Sequence, residues 1–291
     1  MIGGFAEMLS LSISFILVGL GVYLSAHILK VTDLTCEASI GIGGCCYGAM
    51  VLGGIHPIIA VFASGWAGAI AGLVTASLAR HIKIGVTLAS VATIAIFHTF
   101  IGRLENLIRL SNMQAKQQAA NYFCPSVTLL VTSVLVLLLF FLFYRIINSE
   151  YGLAMRVYGD GEVVSESLGI ESHSMLCIGL CVANLLIAVA GALIAQISGK
   201  FSAAMGNGVL IFGLGVAILA RRMVGSCNVK KALFVCSIAA FLYKLTIEII
   251  MLTIDGRLIS EYEGISVAIT FIFLCALFGG NGEKSNETRM D

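Results

Sequence analysis

Charge is what this sequence most lacks. Asp, Glu, Lys and Arg make up 11% of its 291 residues, against roughly a quarter in a soluble domain. Hydrophobic residues reach 59%, too many to bury in one core without leaving an apolar surface. A bilayer removes that conflict, because lipid-facing residues then have an apolar solvent. Proline is also scarce, two residues against 32 glycines, which suits long helices whose backbones approach closely. Net charge is only +1, so no basic surface argues for nucleic acid. No Lys or Arg precedes the first apolar run, where Glu7 stands instead; a cleaved signal peptide is not expected.

Enzyme signatures are missing as well. The histidines His27, His56, His81, His98 and His173 are scattered, with no His-Glu-x-x-His pattern and no nucleophile elbow. Gly279–Ser285 resembles a phosphate loop only briefly, because Glu283 separates Gly282 from Lys284 and the run follows an apolar helix instead of a strand. Cys177 and Cys181 lie one helical turn apart without further ligands at zinc-like spacing. No catalytic residue, metal or resident cofactor is expected in this chain, and any ATP chemistry would belong to another.

What is present is a series of apolar runs long enough to span a membrane, for which about 20 residues are needed. They fall near 8–28, 36–54, 57–79, 84–102, 124–147, 173–197, 205–220, 231–254 and 264–280. The expected fold is therefore an all-α polytopic membrane protein of about nine transmembrane helices, one domain over 1–291. The 36–54 run is interrupted by Gly41, Gly43, Gly44, Gly48, Gly53 and Gly54, and the 205–220 run is short. Such segments can unwind against a solute pathway or simply pack closely.

Basic residues orient the spans. Lys30, Arg80, Lys83, Arg145, Arg156, Arg221, Arg222, Lys230, Lys231, Lys284 and Arg289 fall on one side, and only Arg103, Arg109, Lys116, Lys200 and Arg257 on the other. The richer side reads as cytoplasmic, with the N-terminus outside, as in a bacterial inner membrane. Residues 103–122 read as an amphipathic helix on the outer surface. In the largest cytoplasmic connection, 148–172, Asp160 is placed to cap a short helix, Glu162 to meet its positive end, and Gly169 to end it.

Polar residues at membrane depth are the candidates for function. Lys244 and Glu248 are four apart in an apolar span, so they can pair, and can either line a path or neutralise each other. Asp33, Thr35, Glu37 and Ser39 lead into the second span, and Asn184 and Gln196 lie in the sixth. Each could bond a solute's charged groups or a neighbouring helix.

The long connection also carries a resemblance. Tyr151-Gly152-Leu153-Ala154-Met155-Arg156, Gly159-Asp160 and Ser167-Leu168-Gly169-Ile170, followed by Gly191-Ala192-Leu193-Ile194-Ala195-Gln196 and Met205-Gly206, resemble permeases of branched-chain amino-acid-type ABC importers. Asp33-Leu34-Thr35-Cys36-Glu37-Ala38-Ser39, Gly102-Arg103 and Asn106-Leu107 are similar to the tryptophan/tyrosine-type subgroup. The sequence departs from that subgroup at Arg221-Arg222, at Lys200 and Ser202, and in Glu261–Gly264. The resemblance implies an importer subunit for an amino-acid-like solute. Its partners would be a second permease copy, an ABC ATPase carrying ATP and Mg²⁺, and an extracytoplasmic solute-binding protein. It also implies that Gly152, Met155, Arg156, Gly159, Asp160, Val163, Val164, Glu166, Leu168 and Gly169 couple the chain to the ATPase. The alternative from the residues alone is an ion-coupled secondary transporter or channel using Lys244 and Glu248.

Overall fold

The structure, a computed structural model, describes residues 2–110, 124–199, 201–224 and 229–253, and all regular structure among them is helical. In chain order, α1 (Ile2–Tyr23) runs on into a π-helical turn (Leu24–Ile28). There follow α2 (Cys36–Leu52), α3 (Pro57–Ile82), α4 (Val86–Leu110) and α5 (Pro125–Ile147). Two short helices, α6 (Glu150–Asp160) and α7 (Glu162–Ser167), precede α8 (Ser172–Ser198). A 3₁₀ turn (Ala203–Gly206), α9 (Val209–Val224) and α10 (Val229–Thr253) complete the described part. Among the described residues seven helical stretches are long and apolar enough to cross a membrane, and α2 is a shorter apolar helix. The expected span at 264–280 lies outside the described residues.

Local chemistry sets several boundaries. Both prolines, Pro57 and Pro125, occupy the first turn of a helix, where a missing N–H costs no hydrogen bond. His56 caps α3, its ring accepting from the N–H of Ile58. Gly199 ends α8 in the left-handed conformation, its N–H donating to the Ala195 carbonyl.

Three boundaries differ from those read in the sequence. Residues 103–110 continue α4 as one helix instead of opening a separate surface helix, since nothing in Gly102-Arg103 forces a break; the rest of that segment lies outside the described residues. The glycines of 36–54 do not unwind α2, which is continuous from Cys36 to Leu52; the break comes before it. Asp160 does not cap a helix ending at Gly169: it closes α6, and Gly161 begins α7. The motif Glu150–Arg156 supplies enough good helix formers to build a helix of its own. Glu162 does stand in the first turn of α7, and Gly169 turns out of it with φ +76°.

Packing is organised around α8. About two-thirds of the α1 and α8 spans is buried within the protein, against 28% for those of α4 and α5. On α8 the neighbours α1, α2 and α3 come to backbone contact through small residues. A Cβ on Gly43 would collide with the Ala188 carbonyl, one on Gly191 with the Ile40 carbonyl, and one on Gly72 with the Leu180 carbonyl. Without a hydrophobic drive between helices in lipid, such close fits supply the association energy.

The same contacts set depth. Asn184 lies near the middle of the 27-residue α8, about 18 Å from its start and about 21 Å from its end at 1.5 Å per residue. Ser39 meets Asn184 and Gly43 meets Ala188, so α2 starts at mid-span and advances alongside α8. After α8 the chain folds back along α2, with Phe201 against Gly48, Met205 against Gly44 and Gly206 against the Glu37 carbonyl. Helix α9 therefore also starts inside the bundle. The two runs that looked weak in the sequence are the two helices that begin at depth.

Gly43→Ala and Gly191→Ala are expected to cost about 1–3 kcal/mol each through overpacking, while Gly102→Ala, inside α4 with nothing within 4 Å of its new Cβ, costs nothing and gains up to about 1 kcal/mol of helix propensity. Thermal unfolding of the detergent-solubilised protein followed by size-exclusion recovery checks this; equal midpoints for all three would sink the packing account.

Candidate functional site

Where α2 begins, a buried polar network ties four helices together. The Asp33 carboxylate accepts from the Thr35 N–H at 2.9 Å and from the Asn184 amide at 2.7 Å. Ser39 donates to the Asn184 side-chain oxygen at 2.6 Å, and the Asn184 amide also donates to the Leu180 carbonyl at 3.0 Å. Thr35 meets Thr75 at 2.8 Å, Thr75 meets Thr93 at 3.0 Å, and Thr93 donates to the Ala89 carbonyl. The N–H of Leu34 donates to Ser90 at 3.2 Å. Every one of these side chains is buried. Leaving one buried polar group unmade costs about 1–3 kcal/mol, so each member holds the others in place.

Glu37 faces a second helix start. Its carboxylate lies close to the backbone N–H groups of Gly208 and Leu210 at the beginning of α9, which favour its charged form, and it remains partly exposed. Thus α2 has Asp33 and α9 has Glu37 at their N-terminal ends. Carboxylates there satisfy otherwise orphaned N–H groups and complement the helix dipole, which is how non-helical backbone is tolerated at membrane depth.

The other sequence candidates lie elsewhere. Gln196 is buried on α8, 12 residues beyond Asn184 and about 18 Å away along the helix. Lys244 and Glu248 on α10 form an ion pair of 3.0 Å with side chains 6% and 19% exposed. The Lys244 ammonium sits 4.5 Å over the Phe15 ring of α1; Phe15 meets Phe212 edge-on, and Phe212 stacks on Tyr243. The pair is thus embedded in an aromatic cluster joining α1, α9 and α10. Thr75, Ser90 and Thr93 belong to the Asp33 network but drew no attention in the sequence. Hydroxyls such as Thr99 and Ser133 bond only to their own helix, and no local pattern separates the two kinds.

At one end of the bundle, α6 and α7 carry the motif residues. Gly152 packs against the Ile147 carbonyl, which also accepts from Arg156 at 2.8 Å; Arg156 donates further to the Gly152 carbonyl at 3.1 Å. Met155 is buried beneath α6. Gly159 packs on the Ile28 carbonyl, and Asp160 pairs with Lys30 at 2.7 Å. Ser165 meets Ser172 at 2.5 Å, tying α7 to the start of α8. Val163 (81% exposed), Val164 and Leu168 project outward, and Glu166 is exposed among them. Beside α7 a cavity of about 780 Å³ is lined by Arg80, Lys83, Tyr158, Glu162, Glu166 and His173. Burial, reinforced by the Glu162 charge, raises the Tyr158 phenol above its ordinary pKa.

Residues 4–277 match a family described as branched-chain amino acid transport system / permease component. The chain belongs to this family. The permease is 26% identical over 271 residues to the tyrosine transport system permease protein of Clostridioides difficile, covering 93% of this chain and 90% of that one. It is 25% identical over 244 residues to an uncharacterized protein of Rickettsia prowazekii, covering 80% and 83%. The permease is thus an all-α, multi-pass membrane transport component, as its composition and motif order led one to expect.

Removing one partner of the Lys244–Glu248 pair leaves a buried charge, which costs about 3–5 kcal/mol. Lys244→Met or Glu248→Gln alone is expected to reduce assembled permease severalfold, and the double change to restore it. Fluorescence-detected size exclusion of tagged variants measures this; single mutants at wild-type abundance would mean that the pair contributes nothing to assembly.

Proposed function

We infer that the permease is the membrane-spanning subunit of an ATP-driven importer for an amino-acid-like solute, aromatic or branched-chain, and is not itself an enzyme. It works as a pair of copies in the bacterial inner membrane, with an ABC ATPase on the cytoplasmic side and an extracytoplasmic solute-binding protein opposite. The observation that carries this reading is the outward face of α6 and α7. Tyr151, Leu153, Val163, Val164 and Leu168 are exposed large apolar side chains on a connection flanked by Lys30, Arg80, Lys83 and Arg156. Apolar side chains on a membrane-external segment are best accounted for by a protein partner. The cavity beside α7, with cations and carboxylates in its wall, offers that partner polar contacts. Tyrosine in the relative's name supports an aromatic solute. Enclosure of Lys244 by Glu248 and aromatic rings, away from the α2 start, favours this reading over ion coupling through that pair.

Orientation belongs to the same reading and rests on the distribution of Lys and Arg. With α6–α7 cytoplasmic, an impermeant maleimide applied to intact cells is expected to modify the exposed native Cys124 and to spare a cysteine placed at the exposed position Ser167. The reverse labelling would turn the chain over and remove the docking assignment.

Leu168→Asp and Val163→Asp leave the spans untouched, since both side chains point away from the bundle. Each is expected to weaken ATPase capture about tenfold or more, as for a central interface contact, and to abolish solute-stimulated ATP hydrolysis in proteoliposomes. Gly159 is a poorer probe, because any Cβ there strikes the Ile28 carbonyl. Wild-type capture and stimulation by both variants at equal permease abundance would remove the main support for the importer reading.

A further inference from the structure

Helix α6 is held at both ends by backbone contacts to different spans. At its start, Gly152 and Arg156 clamp it to the last carbonyl of α5. At its end, Gly159 lies directly on the Ile28 carbonyl, and Asp160 reaches Lys30 at 2.7 Å. That second contact falls on an unusual stretch. Residues Leu24–Ile28 are π-helical, the N–H of Leu29 still donates to the Leu24 carbonyl, and Lys30 adopts a left-handed backbone with φ +56°. Such conformations cost energy in a non-glycine residue and persist where surroundings impose them; π-turns recur where a helix must adjust. Three residues later stands Asp33, whose carboxylate fixes the start of α2.

We propose that the contact of Gly159–Asp160 with Ile28–Lys30 is the joint through which movement of the α6–α7 pair reaches the mid-membrane start of α2. The proposal rests on the importer reading, in which the ATPase docks on α6–α7. Rigid packing of Gly159 on a carbonyl transmits displacement, because nothing compressible lies between the two backbones. The Lys30–Asp160 pair, with side chains 55% and 67% exposed, adds little stability; its use is to keep the two backbones in register. From there the chain has only Val31 and Thr32 before the Asp33 network, which either moves as a unit or breaks hydrogen bonds that nothing else can replace. Lys30 is then a positioning residue: it touches neither solute nor nucleotide, yet it sets how the α2 start responds to docking.

The test uses the complete complex of permease, ATPase and binding protein in proteoliposomes, with L-tyrosine and L-leucine as solute probes. Lys30→Glu places two carboxylates at the joint. It is expected to keep ATPase co-purification but to lower uptake per ATP hydrolysed about fivefold, and Lys30→Glu with Asp160→Lys to restore it to within about twofold. Lys30→Gly, which suits the left-handed backbone and removes the whole side chain together with its ammonium, guards against misfolding and moves in the same direction. Amide hydrogen exchange across residues 33–39 supplies a readout that a merely structural role would leave alone: ATPase docking changes it in the wild type and not in Lys30→Glu. Wild-type uptake per ATP with an unaltered exchange response in both single variants overturns the joint, as does failure of the double variant to recover. A wild-type complex lacking solute-stimulated hydrolysis refutes the importer reading itself and the joint with it.

Discussion

The hydrogen bond between Asp33 and Asn184 is the constraint on which the rest of this architecture turns. A carboxylate midway through a membrane protein is tolerated only when fully partnered. Asp33 obtains its partners from the N–H of Thr35, the residue that leads into α2, and from a side chain near the midpoint of α8. Meeting that requirement obliges the chain to re-enter the bundle after α1 and start α2 at depth. The fold-back of 201–208 follows in turn, because its residues fill the glycine face of α2 and deliver α9 to Glu37. One satisfied carboxylate thus accounts for the shortness of α2 and for the start of α9 beside it.

Glycine and hydroxyl residues divide the work around that point. Glycines let α2 and α3 each meet α8 backbone to backbone, so that Thr35 and Thr75 come within hydrogen-bonding reach. Toward the α6–α7 end the same device recurs, with Gly152 on Ile147 and Gly159 on Ile28. The membrane core and the external helix pair are therefore joined by incompressible contacts, which is what an energy-transducing subunit needs if events at one end are to be felt at the other.

Much of this was legible in the residues. The motif Tyr151–Arg156 with Gly159-Asp160 and Ser167–Ile170 identified the family, and Lys244 with Glu248 at i, i+4 announced an ion pair that the structure contains. The glycines of 36–54 marked an unusual span, though as close packing and not as unwound helix. In sequence Asp160 reads as a cap because a carboxylate next to glycine looks like one, and only the helix on its N-terminal side shows that it closes a helix. Thr75, Ser90 and Thr93 stayed hidden because a hydroxyl bonded to its own helix and one bonded across helices look alike in sequence.

Sequence by itself determined that the chain lives in a membrane, roughly how many times it crosses, and which connection carries the family motif. Those are consequences of composition and local spacing, since a bilayer selects apolar runs by length and a motif is contiguous. Tertiary structure alone decided where α2 and α9 begin and which polar groups meet. Asp33 and Asn184 are 151 residues apart, and their pairing depends on how closely glycine-lined backbones approach in three dimensions, a quantity that no local pattern encodes.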